Sequence, residues 1–261
     1  MKNILQEILH HKREEVDNLK KTVSLTTLEQ KELFSRPTRS ISEAIVDKKF
    51  GIIAEIKRKS PSAGRIRQEL NILNLMRSYE ESGAVAISCL TDKPYFDGTI
   101  DDLEAVARNS KVPVLRKEFI IDEFQIYESK AYGADAILLI CEALTKEEIL
   151  DFTIIAQSLG MEVLLELHHI SELSKINQHV NLIGINNRDL KAQRTDISRS
   201  LELITHLPES KVRISESGIK TAEELEILYR SGFQGALIGE SILKSQDPQN
   251  FLASLNIDLC S

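Results

Sequence analysis

Eight short apolar runs recur along this chain at spacings of about 20 to 35 residues, and nothing else in the sequence restricts the fold as much. They are IIAEI (52–56), AVAISCL (84–90), VPVLR (112–116), DAILLI (135–140), EVLLEL (162–167), LIGIN (182–186), VRISE (212–216) and GALIG (235–239). Each spacing holds one strand, one helix and two loops, so parallel strands joined by crossover helices follow. Eight such units in about 210 residues fit a closed (β/α)₈ TIM barrel. A doubly wound open sheet is the alternative, but no GxGxxG follows the first run.

Helix signals fall between the runs. Thr145 with Glu148, and Thr221 with Glu224, have capping-box spacing, and Ile149, Phe152, Ala156 and Leu159 form an apolar stripe. Residues 1–48 precede the first run, where Ile4, Leu5, Ile8, Val16 and Leu19 give a polar helix one apolar side. This segment reads as a helical extension packed on a barrel spanning 49–261, and no linker or low-complexity stretch marks another domain.

A net charge of −7 opposes broad nucleic-acid binding, which needs a surplus of Lys and Arg over a surface. Lys57, Arg58, Lys59, Arg65 and Arg67 nevertheless cluster, which suits a small anionic ligand, although Arg58, Lys59 and Arg67 taken singly read as solvated loop charges. Cys89, Cys141 and Cys260 lack metal-ligand spacing and read as free thiols in a reducing compartment. The N-terminus becomes charged too soon for a secretory signal, and no apolar run approaches the roughly 20 residues of a membrane span. A cytoplasmic protein without membrane contact is expected, with a monomer as the favoured state.

Candidate chemistry sits at the strand ends, where barrels of this kind build their active sites. In GIIAEIKRKSPS, alternation puts Ile53, Glu55 and Lys57 on one face and Ile52, Ala54 and Ile56 on the other, so two charges converge on a side normally covered. Burying them unpaired costs several kcal/mol, which favours a site over a structural role. Further polar strand ends are Lys117, Glu166, Asn186 with Arg188 following, Glu216, Ser217 and Gly218, and Gly239. Leu164, Leu165 and Leu167 predict apolar surroundings for Glu166 that raise its pKa and favour proton transfer. SESG (215–218) and LIGES (237–241) place glycines after the last two strands, the usual barrel phosphate seat. His168 and His169 invite a metal, but no other histidine ends a strand to complete a ligand set. SESG also lacks the first glycine of a nucleophile elbow.

In order and spacing, IAEIKRKSPS (53–62), LTDKPYFDG (90–98), LRKEFIID (115–122), GADAILLI (133–140), GINNRDL (184–190), SESGI (215–219) and LIGES (237–241) closely resemble indole-3-glycerol-phosphate synthase over essentially the full length. Other phosphate-binding barrels, such as phosphoribosylanthranilate isomerase, share the last two motifs but not EIKxxSPS or LRKEF. The resemblance implies a decarboxylating ring closure of 1-(2-carboxyphenylamino)-1-deoxyribulose 5-phosphate, with no cofactor and no metal. It implies a catalytic set of Glu55, Lys57, Lys117, Glu166, Asn186 and Ser217. Lys117 would be the general acid, paired with and oriented by Glu55. Lys57 would hold the anthranilate carboxylate, Glu166 would be the base of the dehydration, and Asn186 would position the reacting groups. Phe96, Phe119 and Leu138 would surround the aromatic ring, with Arg188, Glu216 and Ser217 beside the ribulose chain. Ser60, Gly218, Gly239 and the backbone N–H of Glu240 would meet the phosphate. Two positions depart from some members of the family: Ala63, where a lysine can stand, and Glu240, where a serine can stand. The Glu240 side chain is expected to point away from the phosphate, and the loop from Arg58 to Gln68 to act as a mobile lid.

Overall fold

A computed structural model describes residues 4–61, 63–67, 70–189 and 194–255. Eight strands, β1 (Gly51–Ile56), β2 (Ala86–Leu90), β3 (Val114–Lys117), β4 (Ala136–Ile140), β5 (Glu162–Leu167), β6 (Leu182–Asn186), β7 (Val212–Glu216) and β8 (Gly235–Ile238), lie within or beside the eight apolar runs. All are parallel and close in the order β1-β8-β7-β6-β5-β4-β3-β2.

Strand alternation divides the apolar side chains into two cores. Ile52, Ala54 and Ile56 join the outer core beneath the helices. The inner core takes residues from every strand, among them Ile53, Ala86, Leu115, Leu138, Leu164, Leu182, Ile214 and Leu237. Two residues further along each strand the same inward face comes round again, and there the chain places Glu55, Ser88, Lys117, Ile140, Glu166, Gly184, Glu216 and Gly239. One step in the period of two thus turns an apolar barrel filling into a mainly polar layer facing the mouth.

The N-terminal segment engages both ends of this barrel. Helix α1 (Ile4–Thr22) buries Leu5, Ile8, Leu9, Lys12 and Val16. The Lys12 ammonium, 2% exposed, lies 3.1 Å from both Asp92 and Glu118, in the loops that follow β2 and β3. Leu19, Val23, Leu28 and Phe34 then pack against Phe124, Ala131 and their neighbours on the outer surface. At the far end, helix α2 (Ile41–Asp47) inserts Ile41 and Ile45 into the inner core, where Ile45 lies under the first residues of β1 and β8. Two carboxylates at strand starts anchor this plug. Glu162 accepts from the Ile41 and Ser42 N–H groups at 2.7 and 3.0 Å and from the Ser40 and Ser42 hydroxyls. Asp135, fully buried, accepts from Arg36, from Arg39 and from the Val114 N–H. Among the described residues, no helix is long and apolar enough to cross a membrane.

Candidate active site

A cavity of about 160 Å³ opens at the C-terminal ends of the strands, beside a more polar lobe of about 440 Å³. Glu55, Lys57, Arg188, Ser217 and Leu237 border both. The first lobe brings together Phe96, Phe119 and Leu138 with Lys117, Glu166, Asn186 and Glu216, and the Phe96 and Phe119 rings lie 6.0 Å apart. Gly218, Gly239 and Glu240 line the second lobe, with Lys220, Ser241 and Lys244. Every residue of the expected catalytic and substrate-binding sets therefore borders one or other lobe, whereas Arg58, Lys59, Arg65 and Arg67 of the basic cluster border neither. Ser60 is the one that changes company: it lies with Pro61 on the first lobe, away from the two glycines.

Lys117 is the centre of the first lobe. Its ammonium donates to Glu166 Oε2 at 2.8 Å and to Glu216 Oε2 at 2.5 Å, joining the ends of β3, β5 and β7. Glu55 instead accepts from Lys57 at 2.5 Å, which corrects the expected Glu55–Lys117 pair: two lysines and three glutamates form two adjoining clusters. Burial works against the Lys117 charge, but Glu166, Glu216 and Glu55 outweigh it and hold its pKa far above the usual lysine range.

The expected rise in the Glu166 pKa is also corrected. Burial does push that carboxyl up, but Lys117, His168 and a hydrogen bond from the Asn186 side chain overcome it and hold the pKa below the ordinary value. Glu216 is the carboxyl that rises, to about 8, because burial and the neighbouring Glu166 charge exceed the help of Lys117. Its Oε1 is buried with no hydrogen-bond partner among the described residues. The two carboxyls compete for one ammonium, so their protons belong to the pair.

Glycines make room for these carboxylates. A Cβ on Gly184 would stand 1.9 Å from Glu216 Oε1, and one on Gly239 would stand 2.5 Å from Glu55 Oε1. Gly239 thus houses Glu55 as well as bordering the polar lobe. Beyond β7 the chain turns through two left-handed residues, Ser217 (φ 68°) and Gly218 (φ 79°), and the first is a strained conformation for a side chain. Asn187 holds that turn: its amide donates to Ser215 Oγ and to the Ser217 carbonyl, while its Oδ1 accepts from the Ser200 N–H and hydroxyl.

The Glu240 side chain pairs with two cations that themselves line the second lobe. It bridges Arg188 at 3.0 Å and Lys244 at 2.6 Å, and these cations help hold its pKa down against partial burial. The loop after β1 forms a short hairpin, Lys59–Ser60 against Gly64–Arg65. Arg58 grips Asp102, Arg65 reaches Asp97, and Arg67 donates to the Leu243 and Ser245 carbonyls, so most of the basic cluster is paired with protein oxygens. Ser62 and Gln68 lie outside the described residues, as does Cys260, while Cys89 and Cys141 are buried free thiols. Among the described residues, no group of three or more His, Cys, Asp or Glu side chains is arranged to hold a metal ion.

Sequence reading did not find Ile4, Leu5 and Ile8 on the wall of the first lobe, nor the Lys12 anchor. A signal existed for the anchor: Lys12 follows Leu5, Ile8 and Leu9 on the apolar side of α1.

Residues 5–255 match the family model described as indole-3-glycerol phosphate synthase. The chain belongs to that family. Its members are lyases of tryptophan biosynthesis. Proteins named indole-3-glycerol phosphate synthase from Bacteroides thetaiotaomicron and from Prochlorococcus marinus (strain MIT 9301) are 43% and 45% identical to it. These matches cover 98% and 94% of this chain and 100% and 86% of the relatives. The 3-hexulose-6-phosphate synthase of Salmonella typhimurium superposes with a TM-score of 0.63 over 78% of this chain and 96% of its own, at 13% identity. That likeness is one of fold alone.

Proposed function

We propose that this protein converts 1-(2-carboxyphenylamino)-1-deoxyribulose 5-phosphate into indole-3-glycerol phosphate, CO₂ and water, in the cytoplasm and as a monomer. One observation carries the reading: a lysine held between two buried carboxylates in an apolar lobe that adjoins a glycine-lined polar one. The apolar lobe suits an aromatic ring, and the polar lobe suits a phosphate.

In this reading Phe96, Phe119 and Leu138 hold the ring, Lys57 holds its carboxylate, and Arg188 and Ser217 flank the ribulose chain. Gly218, Gly239 and the Glu240 backbone meet the phosphate. The ring carbon bearing the carboxylate attacks the ketone carbon as Lys117 gives a proton to the ketone oxygen. The bond to the carboxylate then breaks, CO₂ leaves, and its electrons restore the aromatic ring. In the dehydration Glu166 removes a proton from the carbon next to nitrogen while the hydroxyl leaves as water, protonated by a lysine.

An ammonium gripped by two carboxylates is a poor acid until one of them is neutralised. Glu216, pushed up to about 8, is the carboxyl that carries the neutralising proton at neutral pH. Three glutamates against two lysines leave the layer net negative, so an anionic substrate further favours the protonated form of Glu216. Purified protein given the carboxyphenylamino substrate should produce an indole fluorescence signal, and Lys117→Ala should lower kcat by about 10² to 10⁴-fold with substrate still bound. Absence of the signal in the unaltered protein would overturn the reading, and turnover of phosphoribosylanthranilate would point to an isomerase instead.

A further inference from the structure

His168 takes no part in the roles assigned above, yet strand alternation brings it back to the inward face two residues after Glu166. It is 8% exposed and borders the first lobe, whereas His169 faces outward and is exposed. The turn that presents it is fixed by the carboxylate of buried Glu172, which accepts from the His168 and His169 N–H groups at 2.6 and 2.9 Å. His168 Nε2 lies 3.5 Å from Glu166 Oε1, and Lys117 holds the other oxygen of the same carboxylate. Nδ1 is buried and has no hydrogen-bond partner among the described residues. Nothing about packing calls for an imidazole here, since a leucine would fill the space without stranding a buried nitrogen.

We propose that His168 is a positioning residue for Glu166, fixing the rotation of its carboxylate and setting its strength as a base. Neutral imidazole, with its proton on Nε2, offers Oε1 a single N–H and leaves Glu166 basic. The other charged groups that line the same lobe are Glu55, Lys57, Lys117, Glu118, Glu142, Arg188 and Glu216, and Glu172 and Lys175 lie in the turn after β5. The His169 ring lies 6.4 Å away. Lys175 is occupied with the Cys141 and Leu144 carbonyls, and Glu172 with the two backbone N–H groups, which leaves Glu166 as the carboxylate within ion-pair distance of the imidazole.

This inference rests on Glu166 being the base of the dehydration, and a double-mutant cycle separates the two. Glu166→Gln tests the base: a kcat close to that of the unaltered enzyme removes that assignment and the inference with it. If Glu166→Gln is impaired, His168→Ala is compared in both backgrounds. It should lower kcat about tenfold with Glu166 present, leave KM within about twofold, and cost nothing further in the Glu166→Gln background. An equal loss in both backgrounds would show that His168 does not act through Glu166. His168→Gln carries an amide N–H near the Nε2 position, so it should recover most of the kcat that His168→Ala loses. Should His168→Ala fail to fold, His168→Leu, which fills the space without an N–H, is set against His168→Gln: a kcat equal in the two overturns the proposal.

Discussion

Glu216 shows how a single side chain trades stability for chemistry. Its folded-state pKa of about 8 lies above the ordinary carboxyl value of 4.5, so between those limits the native state keeps a proton that the unfolded chain releases. Folding stability attributable to Glu216 therefore declines as pH rises from about 4.5 to about 8 and is level beyond. Glu216→Gln keeps the shape and removes the penalty. It should be more stable than the parent by on the order of 1–3 kcal/mol at about pH 8, with little difference at about pH 4.5. Denaturant titrations at the two pH values check this, and an equal difference at both would contradict it. The neighbouring Gly184 gives a second test. Gly184→Ala places a methyl where Glu216 Oε1 now lies, so the carboxylate must leave Lys117, and kcat should fall more than about tenfold. The positions of these residues were legible because charges interrupt apolar runs. Their pairing was not, since β5 and β7 are brought to the same lysine only by closure of the barrel.

At the level of elements, the two ends of the barrel carry separable burdens. Lys12 on α1 neutralises Asp92 and Glu118 beside the lobe, and Lys12→Ala would leave two buried carboxylates facing each other. A loss of about 3–5 kcal/mol is expected, together with a raised KM as Ile4, Leu5 and Ile8 loosen from the lobe. Glu162 caps α2 at the opposite end. Glu162→Ala should cost about 1–2 kcal/mol while kcat stays within about twofold. Thermal unfolding paired with steady-state kinetics distinguishes the two, and a Glu162 variant with impaired kcat would contradict the division. The capping boxes expected at Thr145 and Thr221 are present because such motifs are local. The Lys12 anchor and the Asp135 and Glu162 sockets join residues about 80 to 120 apart, beyond the reach of any helical or strand period.

For the whole molecule, the eight-strand order could be read in advance because each apolar run is bounded by turn and helix signals, and closure follows from their number. What the pattern could not supply was the course of the first 48 residues. Their amphipathic side was visible, but the surface each part covers depends on loops and strand starts far along the chain. The arrangement of the lobes predicts a global response to anions. Inorganic phosphate bound in the glycine-lined lobe should inhibit competitively and raise the thermal midpoint, with about 2.7 kcal/mol of stabilisation at about a hundred times its Kd. Calorimetry with phosphate and with chloride at matched ionic strength would show it, and equal effects of the two salts would count against a phosphate seat.

The plug at the base has a consequence for synthesis. Ile45 leaves the ribosome long before Gly235, at the start of the last strand, beneath which it rests. Roughly 190 residues separate the two, an interval on the order of 10–40 s at ordinary translation rates. Throughout that interval the apolar side chains of the leading segment have no finished barrel to cover. Commitment to the native state therefore comes late, when the closing strand arrives, and a nascent chain stalled before β8 would be a natural client for a holding chaperone.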